Sequence, residues 1–189
     1  ENIVIRNGGV RTWGAGGIDA TAVGSGEISQ VELTSNGPTT LGGQITIGYG
    51  VVLSDCVVTR GINMALGIVV SGNGGTVTRC VVTENAAQGL KVTGAANRIS
   101  GNHVTNNARD SGCADIWVTG ANSFVVENTA GAGTLDSCPF YIDSGAFGST
   151  LVRNIALGWT SGNYTNTCFT CDIESERRPP SAGGKCRSQ

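Results

Sequence analysis

Little in this chain of 189 residues is aromatic (5%) or charged (14%), and its formal net charge is −2. The strong positive field that nucleic acid or an anionic membrane would need is missing, which excludes both as partners. No apolar run approaches the roughly 20 residues of a membrane-spanning helix, so membrane insertion is excluded too. There is no basic, apolar, small-residue leader at the start, which predicts a soluble chain with any signal peptide removed or upstream of Glu1. A single histidine stands beside seven cysteines. Those cysteines are not at finger or ribbon spacing, which argues against zinc. Cys168 and Cys171 form a C-x-x-C, yet they lack the flanking strand and helix that thioredoxin-like chemistry requires.

Glycine is plentiful, with 30 residues against four prolines, and it marks many turns. The length suits one domain with a substantial core. The cysteine content points to a disulfide-permissive setting, secreted or at the cell surface, with one thiol left over by the odd count. Between the turns lies a repeat. Ile5, Ile28, Leu53, Val77, Ile99, Val125 and Leu151 each open an apolar-x-x-X-x-apolar pattern, at successive spacings of 23, 25, 24, 22, 26 and 26 residues. A second burst of alternation follows about 15 residues later, from Ile18-Asp-Ala20 and Ile45-Thr-Ile47 through Ile116-Trp-Val118 to Phe140-Tyr-Ile142. Alternation with period two predicts short strands with one buried face, and no stretch shows the 3.6 period of a helical solenoid. Stacked in parallel at about 4.8 Å per coil, about seven such coils make a rod of roughly 34 Å. No coil can bury its apolar face alone, which is why the pattern restarts.

Gly67-Ile-Val-Val70, Gly89-Leu-Lys-Val92, Asn97-Arg-Ile-Ser-Gly-Asn102 and Leu151-Val-Arg-Asn154 resemble the repeats of the right-handed parallel β-helix superfamily, the pectate-lyase-like group, and in particular its secreted bacterial repeat proteins. The resemblance covers about residues 2–160 and implies an all-β, right-handed parallel β-helix, a hand that agrees with the general bias of parallel crossovers. It speaks for fold and not for one function, because the same coil serves lyases, hydrolases, epimerases, adhesins and fibres. The domain organisation expected is a β-helix over 1–169 and a disulfide-tethered tail over 170–189.

At the fourth position of the first burst the stacked residues are Gly8, Val31, Cys56, Cys80, Asn102, Asn128 and Asn154. Three aligned asparagines can bond amide to amide and to turn carbonyls, forming a structural ladder inside the rod. Cys56 and Cys80 occupy neighbouring rungs, where a disulfide and a pair of stacked buried thiols both remain open. Cys113 and Cys138 fall in the same turn of adjacent coils and are candidates for a disulfide; Cys171 or Cys168 with Cys186 would strap the tail over the last coil.

Two outward columns carry the candidate chemistry. The second burst presents Asp19, Thr46, Val69, Lys91, Trp117 and Tyr141, with Asp115 and Asp143 as neighbours. In pectate-lyase-like enzymes such a face holds the sugar chain with aromatic platforms, a basic proton acceptor and carboxylates that bind calcium or act as acid and base. That resemblance makes Lys91, Asp115, Trp117, Tyr141 and Asp143 a candidate carbohydrate-binding patch, with calcium implied only if the protein is a lyase. The first burst presents Glu32, Val57, Val81, His103, Thr129 and Ile155, where Val57 and Val81 form a candidate interface. His103 has no obvious group to orient it as a base. Asn163-Tyr-Thr165 matches the glycosylation acceptor pattern. Neither the Asn-Thr-Asp and Gly-His-Gly set of polygalacturonase-like hydrolases nor the Asp-Pro-His of alginate epimerase-like enzymes occurs.

The functional expectation is a non-catalytic surface or assembly module that associates with itself or with another surface protein. The alternative is a carbohydrate-binding or polysaccharide-processing module, lyase-like or hydrolase-like, that uses the Lys91 to Asp143 face.

Overall fold

The computed structural model describes residues 2–37, 42–108, 114–131 and 138–157, together with the backbone of Thr165–Asn166 and Asp172–Glu174. The described strands form two sheets, one of 13 strands and one of seven, and every pairing is parallel. The chain begins with β1 (Asn2–Arg11), β2 (Ile18–Ala20), β3 (Ser25–Thr34) and β4 (Gly43–Ile47), then runs through β5 (Val51–Ser54), β6 (Val57–Thr59) and β7 (Leu66–Val70). One circuit is β5, β6 and β7, and the pattern recurs for a solenoid of about six turns. β3 is long enough to pair with β1 along its length, with β5 through its first half and with β6 through its second. The stacking extends to Asp172–Glu174, which pairs with Thr150–Val152, so strand pairing reaches past residue 169. The remainder of the expected tail, the side chain of Cys138, and Cys113, Cys168, Cys171, Cys186 and Asn163 lie outside the described residues.

Each circuit turns at corners held by residues with left-handed backbone. Between the first two strands this residue is Asp55 (φ 55), Arg79 (φ 53), Gly101 (φ 64), Glu127 (φ 56) or Arg153 (φ 53), one per coil. Such a conformation is unfavourable for a side chain with a Cβ, by roughly 1 kcal/mol or more each. It persists because the corner's N–H reaches the next coil, as in Asp55 N to Thr78 O at 3.1 Å and Glu127 N to Val152 O at 3.0 Å. Polar side chains at these corners point to water and pair vertically, Arg79 with Asp55 at 2.7 Å and Arg153 with Glu127 at 2.5 Å. Exposed pairs of this kind contribute little, because solvent and salt screen them.

The core fills the tube. Ile28, Leu53, Val77, Ile99, Val125 and Leu151 stack as one buried column, and Ile45, Ile68, Leu90, Ile116 and Phe140 as another. Beside the first runs the amide column. Asn102 Nδ2 donates to Asn128 Oδ1 at 2.9 Å, and Asn128 Nδ2 donates to Asn154 Oδ1 at 3.0 Å. Each Oδ1 also accepts the backbone N–H of the residue one coil above, from Cys80 at 2.9 Å, Asn102 at 3.0 Å and Asn128 at 2.9 Å. Cys56 and Cys80 continue the column upward as buried free thiols. Asn128→Ala would leave the N–H of Asn102 without its acceptor, and its Nδ2 with Val77 O alone, in a dry interior. It should therefore lower the unfolding free energy by roughly 3 kcal/mol. Urea denaturation monitored by circular dichroism checks this, and a loss below about 1 kcal/mol would contradict an energetic role for the ladder.

Candidate functional site

The seven-strand sheet positions the site. Its register stacks Asp19, Thr46, Val69, Lys91, Trp117 and Tyr141 in one outward column. Their inward neighbours, such as Ile116 and Val118 on either side of Trp117, are fully buried, so the strand cannot rotate to hide the outward residues. Lys91 Nζ lies 4.3 Å from the centre of the Trp117 ring, and the Trp117 and Tyr141 rings meet edge to face with centroids 5.5 Å apart at 89°. Among the described residues no carboxylate pairs with Lys91; the indole face is what steadies its charge. Next to these residues is a hollow of about 220 Å³ lined by Leu66, Val69, Gln88, Lys91, Thr93 and Trp117. The indole Nε1 is buried and has no hydrogen-bond partner among the described residues.

Asp143 stands two residues beyond Tyr141 at the strand's end. Its carboxylate accepts from Ser144 Oγ at 3.1 Å, and its N–H is tied to Val118 O at 2.9 Å. It is half-buried.

Asp115 leaves the strand on the same side as Trp117, as expected, but it is covered there and takes no part in the exposed patch. It points away from the tube's interior, yet it is wholly buried, because it ends a second polar ladder that the sequence reading missed. Asn36 Nδ2 donates to Gln44 Oε1 at 3.0 Å, and Gln44 Nε2 donates to Asn85 Oδ1 at 2.7 Å. The chain continues from Asn85 Nδ2 to Asn107 Oδ1 at 2.8 Å and from Asn107 Nδ2 to Asp115 Oδ1 at 2.8 Å. Asp115 Oδ1 also accepts the N–H of Asn107 at 3.0 Å, while Oδ2 has no partner among the described residues.

A signal for this ladder was present in the sequence. Each coil pairs a glycine with an amide or acid 17 to 19 residues away: Gly17 with Asn36, Gln44 with Gly61, Gly67 with Asn85, Gly89 with Asn107. Asp115 and Gly133 continue the series, although Gly133 lies outside the described residues. The rule is steric. A Cβ on Gly67 would come within 2.9 Å of Asn85 Nδ2, one on Gly89 within 2.5 Å of Asn107 Nδ2, and one on Gly61 within 2.8 Å of Asn85 Oδ1. One polar side chain fills each level, and its opposite number must be glycine.

The first-burst column is in register as well. Val57 pairs with Val81 and Val81 with His103, and both valines are 39% exposed. No side-chain hydrogen bond orients His103 among the described residues. Arg98, 5.5 Å from the Phe124 ring on the larger sheet, is a second cation–aromatic pair that pattern reading had not singled out. Among the described residues no group of three His, Cys, Asp or Glu side chains converges to hold a metal ion.

Two sheets of short parallel strands closing one tube define a right-handed parallel β-solenoid, with a cation and two rings along one outer column. A family profile described as right-handed β-helix region matches residues 1–130, and the chain belongs to that family. Its backbone is similar to two solved structures from Azotobacter vinelandii. For the mannuronan C-5 epimerase AlgE6 A-module the identity is 18% and the TM-score 0.60, over 95% of this chain and 59% of that one. For the AlgE4 A-module the values are 15% and 0.60, over 92% and 58%. The chain thus spans under three fifths of either module, and the likeness is one of fold. No curated protein sequence matches.

Burial pushes the Asp115 carboxyl up to about 7, against two opposing hydrogen bonds from Asn107. In the unfolded chain it would ionise near its ordinary value, so between about pH 4 and 7 the folded state holds the extra proton. Stability should fall across that window as pH rises, by up to roughly 4 kcal/mol, and level off above it. In Asp115→Asn this component should vanish, making the variant the more stable protein at pH 8. Urea midpoints of both proteins at pH 5 and pH 8 test this, and equal pH slopes would refute it.

Proposed function

We propose that this chain is a carbohydrate-binding β-helix module that carries a polysaccharide across the seven-strand sheet without transforming it. The observation that carries this reading is the hollow beside Trp117, where an ammonium with no carboxylate partner among the described residues, an indole and the side chains of Gln88 and Thr93 meet, with the Tyr141 ring against the indole. Sugars present an apolar face to rings and hydroxyls to polar groups, the two kinds of surface offered here. A volume of about 220 Å³ is below that of a drug-sized pocket and suits one ring of a chain that continues over neighbouring coils. The naming of two mannuronan C-5 epimerases among proteins of like fold favours a saccharide ligand over other classes.

Binding without chemistry is the better reading because acid–base catalysis needs an acid and a base poised together, and Lys91, the basic candidate, rests on the Trp117 ring rather than beside a carboxylate. With Asp115 spent on the ladder, Asp143 is the one carboxylate of the candidate set left on this face. The sequence also lacks Asp-Pro-His. In a screen of acidic and neutral polysaccharides by affinity electrophoresis, with and without calcium, the protein should be retarded by at least one. Trp117→Ala should weaken that binding roughly tenfold or more at unchanged circular dichroism. No retardation by any polysaccharide, or equal binding by the variant, would overturn the proposal.

A second reading, assembly, is favoured by one observation. Val57 and Val81 place two β-branched apolar side chains side by side in water. If this column is an interface, sedimentation at micromolar concentration should give a species heavier than the 19.2 kDa chain. The double variant Val57→Lys, Val81→Lys should then sediment as a monomer. A wild-type chain that is monomeric throughout removes this reading and leaves the first intact.

A further inference from the structure

We propose that Cys56 and Cys80 are a redox site inside the solenoid, oxidised to a cystine that joins two successive coils when the protein folds in an oxidising compartment.

Geometry carries the argument. Val57 and Val81 are register partners in parallel strands, and each cysteine immediately precedes one of them. Their Cα atoms are therefore about one interstrand spacing apart, some 4.8 Å, within the range that a disulfide spans. Both side chains point into the tube and both are buried. Their surroundings repeat: the Cys56 thiol donates to Ser54 O at 3.2 Å and the Cys80 thiol to Thr78 O at 3.4 Å. Bond formation asks the two Cβ atoms to lean together by roughly 1 Å. The corners just before them are already clamped, since Arg79 holds Asp55 through two bonds, at 2.8 Å and 2.7 Å.

The column itself has a gap at this point. Below Cys80, coil is welded to coil by amides from Asn102 to Asn154, and the weld ends where Asn102 Oδ1 accepts the Cys80 N–H at 2.9 Å. No amide stands above it. A cystine between Cys80 and Cys56 would extend the cross-linking by one coil, covalently.

The step balances as thiol–disulfide exchange with a carrier disulfide, such as glutathione disulfide or the disulfide of an oxidase. One of the two cysteine thiolates attacks one carrier sulfur, forming a mixed disulfide and releasing a carrier thiolate. The other cysteine then gives up its proton and attacks the Sγ of the first, releasing the second carrier thiolate. Two electrons pass to the carrier, and the two cysteine protons end on its two thiols. Because both sulfurs are sealed in the native tube, the exchange precedes the closing of these coils.

The test uses the full wild-type chain, refolded with glutathione disulfide and glutathione, quenched in denaturant with excess alkylating agent, digested and read by mass spectrometry. A peptide pair linked through Cys56 and Cys80 in most molecules is the expected result. Alkylation of both cysteines in protein with a native circular dichroism spectrum would overturn the proposal, and so would linkage of either one to another cysteine. A second measurement compares thermal midpoints before and after reduction. The wild type should lose about 5–10 °C more than Cys56→Val, Cys80→Val, and equal losses would show that no such bond supports the fold.

Discussion

Everything in this molecule follows from side chains one coil apart lying directly over each other. A parallel ladder in register leaves no freedom to offset neighbours, so every inward position touches its own counterpart above and below at strand spacing. An apolar residue is content with another apolar residue there. A polar one needs a partner that can donate and accept in the same vertical line, and a primary amide does both. That is why Asn102, Asn128 and Asn154 come as a run, with the carbonyl oxygens of Asn128 and Asn154 each accepting from an amide and a backbone N–H of the coil above.

The same requirement shapes the second ladder with different residues. Its levels are filled from either of two positions on the circuit, and the steric limit makes the other position glycine. Gln44 shows how far the rule bends: its longer side chain spans the level where Gly61 supplies none, linking Asn36 to Asn85. Asp115 shows where it stops. A carboxylate accepts from Asn107 but has no hydrogen to pass on while it is ionised, and its second oxygen has no partner among the described residues. Burial then raises its pKa, the usual response of a desolvated acid.

With the interior so constrained, individuality is confined to the outward columns and the corners. The corners hold polar residues in left-handed backbone, paired vertically by charge. The outward column of the smaller sheet holds Lys91, Trp117 and Tyr141 on three consecutive coils. A regular array of strands offers a straight, rigid face along which an extended ligand can lie, and the stacked column sets its side chains one strand spacing apart. Whatever binds there meets a surface whose spacing is set by the core behind it.

Read from the chain alone, the periods of 22 to 26 residues determine the solenoid, its sheet registers and which residues share a column, because alternation and repeat length leave one way to bury the apolar face. The Lys91, Trp117 and Tyr141 column was legible for the same reason. What tertiary structure alone decided is what covers each outward residue. Asp115 and Trp117 lie on the same side of one strand, two residues apart, yet the first is wholly buried and the second opens on a hollow. Alternation records which side of the sheet a side chain leaves from. It does not record that a neighbouring corner folds over that side, and only the packed coil brings Asn107 onto Asp115.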